Sequence, residues 1–395
     1  MKAIIVGGGL GGVYSAIALE KAGVESVILE RHDDLAKIQV GIGMVLWPNG
    51  NLALRAAGLD EPVISRGSVV EKVQFRRAVG GEELHAWALG DLGRKLGAPG
   101  IGISRADIHK VLHAHLAEGV LRLGAAVTSY EQDPDGVTVR TESGEEFRGD
   151  LLIAADGLRS SIRENEAIAD ETYPPYGGYA LWHSIVPLDE SVVPLGQFRL
   201  SLGRGTRFVS FPVDSERAYW SALVHIAPGG RDKGRRLEFL RERFGEYAPD
   251  VRALIESTEE SAISRVDVYG GHGLPSWGQG RLTLLGDAAH PMTTILGQGA
   301  CMALEDAVAL ARHVSETFNV EAALRAYEAE RLGRTAQFQK LVRRLSPGAE
   351  GRLRAGIRDQ AIRRVFQRGP GGQLQALISE PFVNHQGAAA PRTPR

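Results

Sequence analysis

The sequence has little of what defines several large classes of protein. Its 395 residues include one cysteine, Cys301, so no disulfide can form within the chain, as is typical of proteins from reducing compartments. The formal net charge is −2, which indicates no basic surface and makes nucleic acid an unexpected partner. No apolar run is long enough to span a membrane, so we expect no membrane association.

Other absences limit the chemistry. No Gly-x-Ser-x-Gly elbow is present, and with no second cysteine near Cys301 a flavin-disulfide centre is excluded. We expect Cys301 to be a packed core thiol. We also expect no metal, because none of the candidate histidines has another His or Cys at metal-ligand spacing: His183, His225, His272 and His290.

The N-terminus leaves no room for a signal peptide. The apolar run Ala3-Ile4-Ile5-Val6 follows Met1-Lys2 directly and is typical of a buried strand. A secretory leader would need its own apolar segment and a cleavage site ahead of that strand. The expected localisation is therefore cytoplasmic.

A glycine-rich turn follows this strand. Gly7, Gly9 and Gly12 occupy the three glycine positions of G-x-G-x-x-G, and a helix is predicted from Leu10 to Ala22. The next strand ends at Glu30, about twenty residues on, where an acid can bind ribose hydroxyls. The helix N-terminus at Leu10 would face the phosphates, and Arg31 lies beside Glu30. This unit predicts a dinucleotide site that suits FAD or NAD better than NADP.

The rest of the chain predicts a discontinuous α/β domain. Residues 1–170 begin it and residues 275–345 complete it, with helices predicted over about 298–314 and 321–345. Residues 171–274 contain alternating segments typical of antiparallel strands, interrupted by a charged helix at 234–244. Residues 346–385 are predicted as C-terminal helices and residues 386–395 as a disordered tail.

Two further motifs extend the argument. The first is Leu152-Ile153-Ala154-Ala155-Asp156-Gly157-Leu158-Arg159-Ser160-Ser161-Ile162-Arg163. The second runs from Gly280 through Gly286-Asp287-Ala288-Ala289-His290-Pro291 to Gly297-Gln298-Gly299 and Glu305-Asp306. With the glycine turn, in this order, they resemble the single-component FAD-dependent aromatic hydroxylases, the para-hydroxybenzoate hydroxylase-like group A flavoprotein monooxygenases. The resemblance covers Lys2 to about Arg334 and is weakest in the β-rich insertion.

The resemblance implies a fold and a cofactor. The fold is α/β: a Rossmann-like FAD-binding domain carrying an inserted, mostly antiparallel β-sheet substrate domain and a helical C-terminal part. Asp287 would bind the ribityl chain of FAD, and Arg105 its pyrophosphate or adenosine. The other residues that the resemblance places at the cofactor are Gly43, Asp156, Gly157, Gly286, Gly297 and Gly299. Each motif also has a purely structural alternative, a capped strand-turn-helix for Asp287 and a helix-start ion pair for Arg105.

The resemblance also implies an activity. NAD(P)H would reduce FAD transiently, O2 would add at the flavin C4a position, and the resulting hydroperoxide would hydroxylate or epoxidise an aromatic or polycyclic small molecule. Pro291 and Thr294 would lie beside the flavin, but Thr294 stands where many family members have proline. The alternative is therefore an FAD-dependent oxidase, reductase or cyclase without oxygen insertion. A non-catalytic FAD- or NAD-binding sensor is a second alternative.

The β-rich insertion is expected to form one wall of a substrate pocket. Four aromatic residues on its predicted strands are the candidates for lining it: Trp182, Phe208, Phe211 and Trp220. Arg204 and Arg207 are candidates for meeting an anionic group, although a solvated hairpin tip is the simpler interpretation of Gly203-Arg204-Gly205. The chain is expected to act as a monomer or a homodimer.

Overall fold

A computed structural model describes residues 1–38, 42–166, 168–169, 172–230, 234–346, 357, 359–360, 362 and 370–379. Its strands are β1 (Lys2–Val6), β2 (Glu25–Leu29), β3 (Gly43–Leu46), β4 (Ser68–Val70), β5 (Lys72–Arg77), β6 (Glu83–Ala88), β7 (Gly100–Ser104), β8 (Leu121–Arg122), β9 (Val127–Asp133), β10 (Gly136–Thr141), β11 (Glu146–Gly149), β12 (Leu151–Ala154), β13 (Tyr176–Pro187), β14 (Gln197–Leu202), β15 (Thr206–Pro212), β16 (Arg217–His225), β17 (Ser264–Tyr269) and β18 (Leu282–Leu284).

Its helices are α1 (Leu10–Lys21), α2 (Pro48–Ala56), α3 (Asp60–Ile64), α4 (Leu89–Leu96), α5 (Arg105–His113), α6 (Ser161–Asn165), α7 (Arg236–Phe244), α8 (Pro249–Glu256), α9 (Gly299–Glu316), α10 (Val320–Leu345) and α11 (Pro370–Ser379). Within the described ranges, none of these helices combines the length and apolar character needed to cross a membrane. The predicted disordered tail, and the predicted C-terminal helices apart from α11 and a few isolated residues, lie outside the described residues.

A parallel five-stranded sheet forms the centre of the molecule, in the order β18-β12-β1-β2-β8. Its middle strands β1 and β12 are apolar and almost fully buried, as is typical of parallel strands that are covered on both faces. Strand β18 pairs with β12 and so returns the chain after residue 280 to the sheet that residues 2–6 begin. The proposed division into a discontinuous domain and an insertion depends on this pairing.

A mostly antiparallel seven-stranded sheet forms the second layer, in the order β17-β13-β16-β15-β14-β5-β6. The four strands β13 to β16 follow the predicted alternating segments closely. Strands β5 and β6 come from before residue 171, and β14 pairs with β5 in parallel. The sheet therefore draws on more of the chain than the predicted insertion of residues 171–274.

The outer face of this sheet is a closed core under α7 and α8. Trp182, Phe208 and Trp220 are at most 1% exposed and pack with apolar side chains of these two helices. Trp182 stacks on Phe239, with ring centroids 4.7 Å apart, and Phe208 meets Phe244 edge-on. This placement corrects the prediction that these three aromatic residues line a substrate pocket. Side chains alternate between the two faces of a strand, and these three lie on the face turned away from the parallel sheet.

Candidate functional site

The glycine turn joins β1 to α1, and its three motif glycines meet different requirements. Gly7 has φ +107°, and a Cβ there would lie 2.4 Å from the carbonyl oxygen of Ala155. A Cβ on Gly12 would lie 2.0 Å from the carbonyl oxygen of Gly7. A Cβ on Gly9 would meet no protein atom within 4 Å. Gly7 and Gly12 are therefore required by the protein's own packing, whereas the space beside Gly9 is open to a ligand.

The start of α1 and the end of β2 meet at this turn. Leu10 is the first residue of α1, whose N-cap is Gly9 and whose first turn holds no acidic side chain. Glu30 follows β2 and is 6% exposed; its carboxylate accepts hydrogen bonds from the N–H groups of Gly8 at 2.7 Å and His32 at 2.9 Å. Arg31 is exposed beside it. The helix thus offers a positive N-terminus, next to a carboxylate held in one position.

Asp287 lies in the short helical turn after β18, at the carboxyl edge of the parallel sheet. Its side chain lines an open groove; the protein atoms around the carboxyl raise its pKa by desolvation, and the charges of His290, Arg105 and Arg163 oppose this shift. No hydrogen bond to its carboxylate is found among the described residues. A carboxylate in this position is an acceptor available to hydroxyl groups of a ligand.

Arg105 begins α5, where Ser104 caps the helix by accepting from the N–H of Asp107 at 3.1 Å. The backbone N–H of Arg105 donates to the carbonyl of Ile42 at 2.8 Å. In the described part of the chain its guanidinium forms no ion pair, although its charge acts on Asp287. Arg105 is thus a cation available to an anionic ligand at the same groove.

The motif after β12 carries another unused acceptor. Asp156 has one carboxylate oxygen, Oδ2, near the N–H of Ile162 at 3.4 Å, whereas its Oδ1 is buried without a partner among the described residues. Burial raises the pKa of this carboxyl. Gly157 has φ +83° and open space beside it.

Arg163 ties this motif to the Asp287 turn. Its guanidinium donates to the carbonyl oxygens of Ala288 and Leu158, each at 2.8 Å, and is fully buried. Tyr173 covers the guanidinium at 5.1 Å. Arg163 therefore holds two turns of the site together rather than facing solvent.

The segment from Pro291 to Gly299 links the Asp287 turn to α9. Pro291 is buried, and its carbonyl accepts hydrogen bonds from Gly271 and from the side chain of Gln339. Thr294 is exposed and opens a short 3-10 turn that ends at Gly297, which has φ +61°. Gly299 begins α9, and a Cβ there would lie 3.7 Å from Oδ1 of Asp287. The N-terminus of α9 therefore points at the Asp287 groove.

A fully buried ionic cluster supports this segment, and the sequence did not predict it. Asp306 accepts from the N–H of Gly286 at 3.1 Å, from Arg331 at 2.7 Å and from Nε2 of His290 at 2.5 Å. Desolvation would raise the pKa of Asp306, but the positive charges of His290 and Arg331 hold it below its usual value. The cluster fixes the backbone immediately before Asp287.

The neighbouring carboxylate extends the cluster to α2. Glu305 pairs with both Arg331 at 2.7 Å and Arg334 at 2.6 Å, and accepts from Asn49 at 2.8 Å. Asn49 also donates to Gln298, the N-cap of α9. Two features of the sequence could have indicated this cluster: two adjacent acids on α9, and two arginines three residues apart on α10.

Gly43 contacts the second sheet. A Cβ on Gly43 would lie 2.3 Å from the ring of Tyr219, so glycine allows β3 to approach β16 closely. Gly102 makes the same kind of approach to Phe211 from β7. Of the four predicted pocket aromatics, Phe211 is thus the one that faces the parallel-sheet side.

Aromatic rings are continuous along this inner face. Trp47 stacks on Trp87 with centroids 5.5 Å apart and lies 6.4 Å from Phe198. Phe198 stacks on Phe211 at 5.3 Å, and Phe211 lies 5.2 Å from Tyr219. These rings form a largely apolar and mostly buried cluster, in which Trp47, Phe211 and Tyr219 are at most 5% exposed.

Comparison with known proteins shows which proteins this chain resembles. Residues 1–342 match a family model described as an FAD binding domain. The chain is 38% identical to the aurachin C monooxygenase/isomerase of Stigmatella aurantiaca over 338 residues, which cover 86% of this chain and 87% of that protein. It is 30% identical to an FAD-dependent urate hydroxylase of Klebsiella pneumoniae, covering 97% of this chain and 100% of that protein.

The chain belongs to the FAD-dependent aromatic hydroxylase family. Among solved structures, Klebsiella pneumoniae HpxO in complex with FAD and uric acid superposes with a TM-score of 0.89 at 29% identity, covering 96% of this chain and 97% of that chain. The predicted α/β fold with its FAD-binding domain is confirmed.

The site fits FAD as a resident cofactor. The open space beside Gly9 suits a pyrophosphate, and Glu30 holds a carboxylate at the position for ribose hydroxyls. Asp287 and Asp156 supply carboxylate oxygens without protein partners, and Arg105 a cation without an ion pair, within the described residues.

Proposed function

We propose that this FAD-dependent monooxygenase uses NAD(P)H and O2 to oxygenate a planar aromatic or polycyclic molecule held against the inner face of the seven-stranded sheet. The observation that carries the proposal is that this inner face has apolar residues that are only partly buried, Val209 and Leu200, next to the packed aromatic rings that run from Trp47 to Tyr219. FAD supplies the redox and oxygen chemistry, and the protein supplies binding, orientation and exclusion of water.

The groove residues take separate parts of the cofactor in this proposal. Leu10 and the other N–H groups at the start of α1 bind the pyrophosphate, with Gly7, Gly9 and Gly12 permitting the close approach. Glu30 accepts from the adenosine ribose, with Arg31 flanking it, and Arg105 pairs with phosphate. These roles follow from the open space and from the positions of the charged groups.

The remaining groove residues act on the ribityl and ring portions. Asp287 accepts from ribityl hydroxyls, and Gly286 presents it through the bond to Asp306. Asp156 and Gly157 complete the groove on the β12 side. Gly297 and Gly299 allow the N-terminus of α9 to direct its N–H groups at the ring, where a positive helix end stabilises negative charge.

Two residues of the linking segment and one of β3 border the reacting region. Pro291 fixes the segment through its carbonyl contacts, and exposed Thr294 adds a hydroxyl near the ring. Gly43 lets β3 and Tyr219 meet closely, which shapes the pocket wall. We further propose a cytoplasmic enzyme that is a monomer or a homodimer.

Cofactor binding is tested with Asp287→Ala and the control Asp91→Ala, which alters an exposed carboxylate on α4. Hydrogen bonds to a charged group contribute about 1.5–3 kcal/mol, so Asp287→Ala should weaken FAD binding by about 10- to 100-fold. Asp91→Ala should match wild type. Titration of apoprotein with FAD measures both. Wild-type affinity in Asp287→Ala would contradict the assignment.

The reaction is tested by measuring NAD(P)H consumed, H2O2 released and isotopically labelled oxygen incorporated with each candidate substrate. Incorporation of one oxygen atom per NAD(P)H supports the proposal. Oxidation of a substrate without oxygen gain would favour the FAD-dependent oxidase, reductase or cyclase that Thr294 motivates. Protein that never takes up FAD would contradict the whole assignment.

A further inference from the structure

The start of helix α2 packs against the start of α9. Trp47, the N-cap of α2, lies over Gly297, where an added Cβ would be 3.2 Å from the indole Nε1. A Cβ on Gly50 would lie 2.7 Å from Sγ of Cys301, so the two helices are in direct contact. Asn49 lies between these two contacts in the chain and is fully buried. The first turn of α2 therefore fits closely against the segment that begins α9.

The side chain of Asn49 joins the N-cap of α9 to a carboxylate in the second turn of that helix. Its Nδ2 donates to Oε1 of Glu305 at 2.8 Å and to Oε1 of Gln298 at 3.1 Å. The amide of Gln298 donates in return from Nε2 to Oδ1 of Asn49, at 3.5 Å. Gln298 and Glu305 are at most 1% exposed. The three side chains thus form a network that is closed to solvent.

The charge of Glu305 determines how this network is oriented. Desolvation would raise the pKa of Glu305, but the positive charges of Arg334 and Arg331 hold it below its usual value, so the carboxylate is ionised at neutral pH. An ionised carboxylate only accepts hydrogen bonds, so Asn49 has to present its NH2 group to Glu305. The second hydrogen of the same group then reaches Gln298. Asn49 thereby connects the fixed ionic cluster to the residue at the start of α9.

Gln298 in turn influences where the free end of α9 faces. The first hydrogen bond of the helix runs from the N–H of Met302 to the backbone carbonyl of Gln298, at 2.9 Å. The N–H groups between these two residues lie outside that ladder and form the positive end of the helix. A Cβ on Gly299 would lie 3.7 Å from Oδ1 of Asp287, so this end faces the FAD groove. A tilt of Gln298 would therefore turn these N–H groups relative to the groove.

We propose that Asn49 is a positioning residue: by holding Gln298 it directs the N-terminus of α9 at the flavin ring, and it thereby increases the stabilisation of the negative charge on reduced FAD. The inference rests on the proposed function, in which this helix end faces the ring. The second buried asparagine of α2, Asn51, donates instead to the carbonyl of Pro99 at 2.6 Å. Asn51 is therefore a matched control on the same helix.

The test measures how readily bound FAD is reduced in the absence of substrate and O2. Each protein, saturated with FAD, is equilibrated anaerobically with a dye of known reduction potential, and absorbance gives the ratio of reduced to oxidised FAD. The interaction of a charge with a helix end corresponds to about a 2- to 5-fold change in an equilibrium constant. Asn49→Leu, which removes the hydrogen bonds with a side chain of similar size, should lower the ratio by that factor.

Three further variants identify the route of the effect. Gln298→Met keeps the bond of Asn49 to Glu305 but removes the amide pairing, and it should lower the ratio as Asn49→Leu does. The double variant should show the shift of one single variant rather than the product of both, because both changes interrupt one link. Asn51→Leu also removes a buried hydrogen bond from α2 and should lower the urea midpoint, but its ratio should equal that of wild type.

An unchanged or higher ratio in Asn49→Leu would overturn the proposal. An equal shift in Asn51→Leu, or shifts that multiply in the double variant, would overturn it as well. If Asn49→Leu takes up no FAD, Gln298→Met decides alone, and a wild-type ratio in that variant refutes the role of Asn49. Because neither substrate nor O2 is present, failure of oxygen incorporation would refute the proposed function and leave this result standing.

Discussion

Replacement of Gly9 by alanine separates what the fold requires from what FAD requires. Gly9 has φ −73° and ψ 179°, a conformation that alanine adopts without strain, and an added Cβ meets no protein atom within 4 Å. The apoprotein should therefore tolerate Gly9→Ala. A Gly-to-Ala change at a compatible position stabilises by about 0.4–1 kcal/mol through the unfolded chain, and this gain opposes the weaker capping by alanine at the N-cap of α1, so the stability of the apoprotein should change by at most about 1 kcal/mol.

The unfavourable free energy of Gly9→Ala should appear only when FAD binds. The methyl group projects into the space assigned to the pyrophosphate, and overpacking of one methyl costs about 1–3 kcal/mol. That range corresponds to an FAD Kd about 5- to 150-fold weaker. Wild type at 100 times its Kd gains about 2.7 kcal/mol from FAD, and at the same FAD concentration the variant should lose about 0.9–2.4 kcal/mol of this gain.

Gly23→Ala is the matched control. Gly23 also has no atom within 4 Å of an added Cβ, but its φ is +77°, which costs alanine about 1–2 kcal/mol. It lies at the far end of α1, so the apoprotein should be destabilised and FAD affinity should not change. Urea unfolding with and without FAD, with direct titration, measures both. Wild-type FAD affinity in Gly9→Ala, or an apoprotein destabilised by clearly more than about 1 kcal/mol, would refute the reasoning.

Three further predictions concern stability. Asp306→Asn breaks a fully buried ion pair and should cost about 3–5 kcal/mol of unfolding free energy, whereas Asp33→Asn, at an exposed pair, should cost at most about 0.5 kcal/mol; equal losses would contradict this. Trp182→Ala should cost about 3–5 kcal/mol of unfolding free energy without changing the Kd of the aromatic substrate, and a changed Kd would place Trp182 in the pocket. His109 is fully buried with neither ring nitrogen partnered in the described residues, and burial lowers its pKa to about 3. Between about pH 6.5 and 3 the unfolded state therefore binds a proton on this histidine that the folded state does not. Wild type should lose stability as the pH falls through this window. Urea unfolding of His109→Leu should show a flatter pH dependence and no loss of stability at pH 7.

Much of the cofactor site follows from local sequence. The turn at Gly7, the acid at Glu30 and the Ser104 cap each lie within one strand-turn-helix unit, so neighbouring residues determine their geometry. Asp287 is equally local, since it ends a short buried strand. The family follows from three such units in a fixed order.

The wall of the pocket does not follow from local sequence. Alternation along β13 separates Trp182 from His183, but it does not say which face meets the parallel sheet. Aromatic residues therefore suggested the pocket, and tertiary packing put three of the four under α7 and α8. The sequence feature that does indicate the inner face is Gly43, because its lack of a side chain lets the ring of Tyr219 pack against β3.

The sequence by itself determined that the cofactor is FAD, and it predicted the turn at Gly7, Glu30 and the turn at Asp287 as the features that hold it, because each of these features is formed by groups close together in the chain. Only the tertiary structure decided what faces the cofactor. The ion pair of Asp306 with Arg331 and the close contact of Gly43 with Tyr219 join segments far apart in sequence, and long-range packing alone brings such groups together.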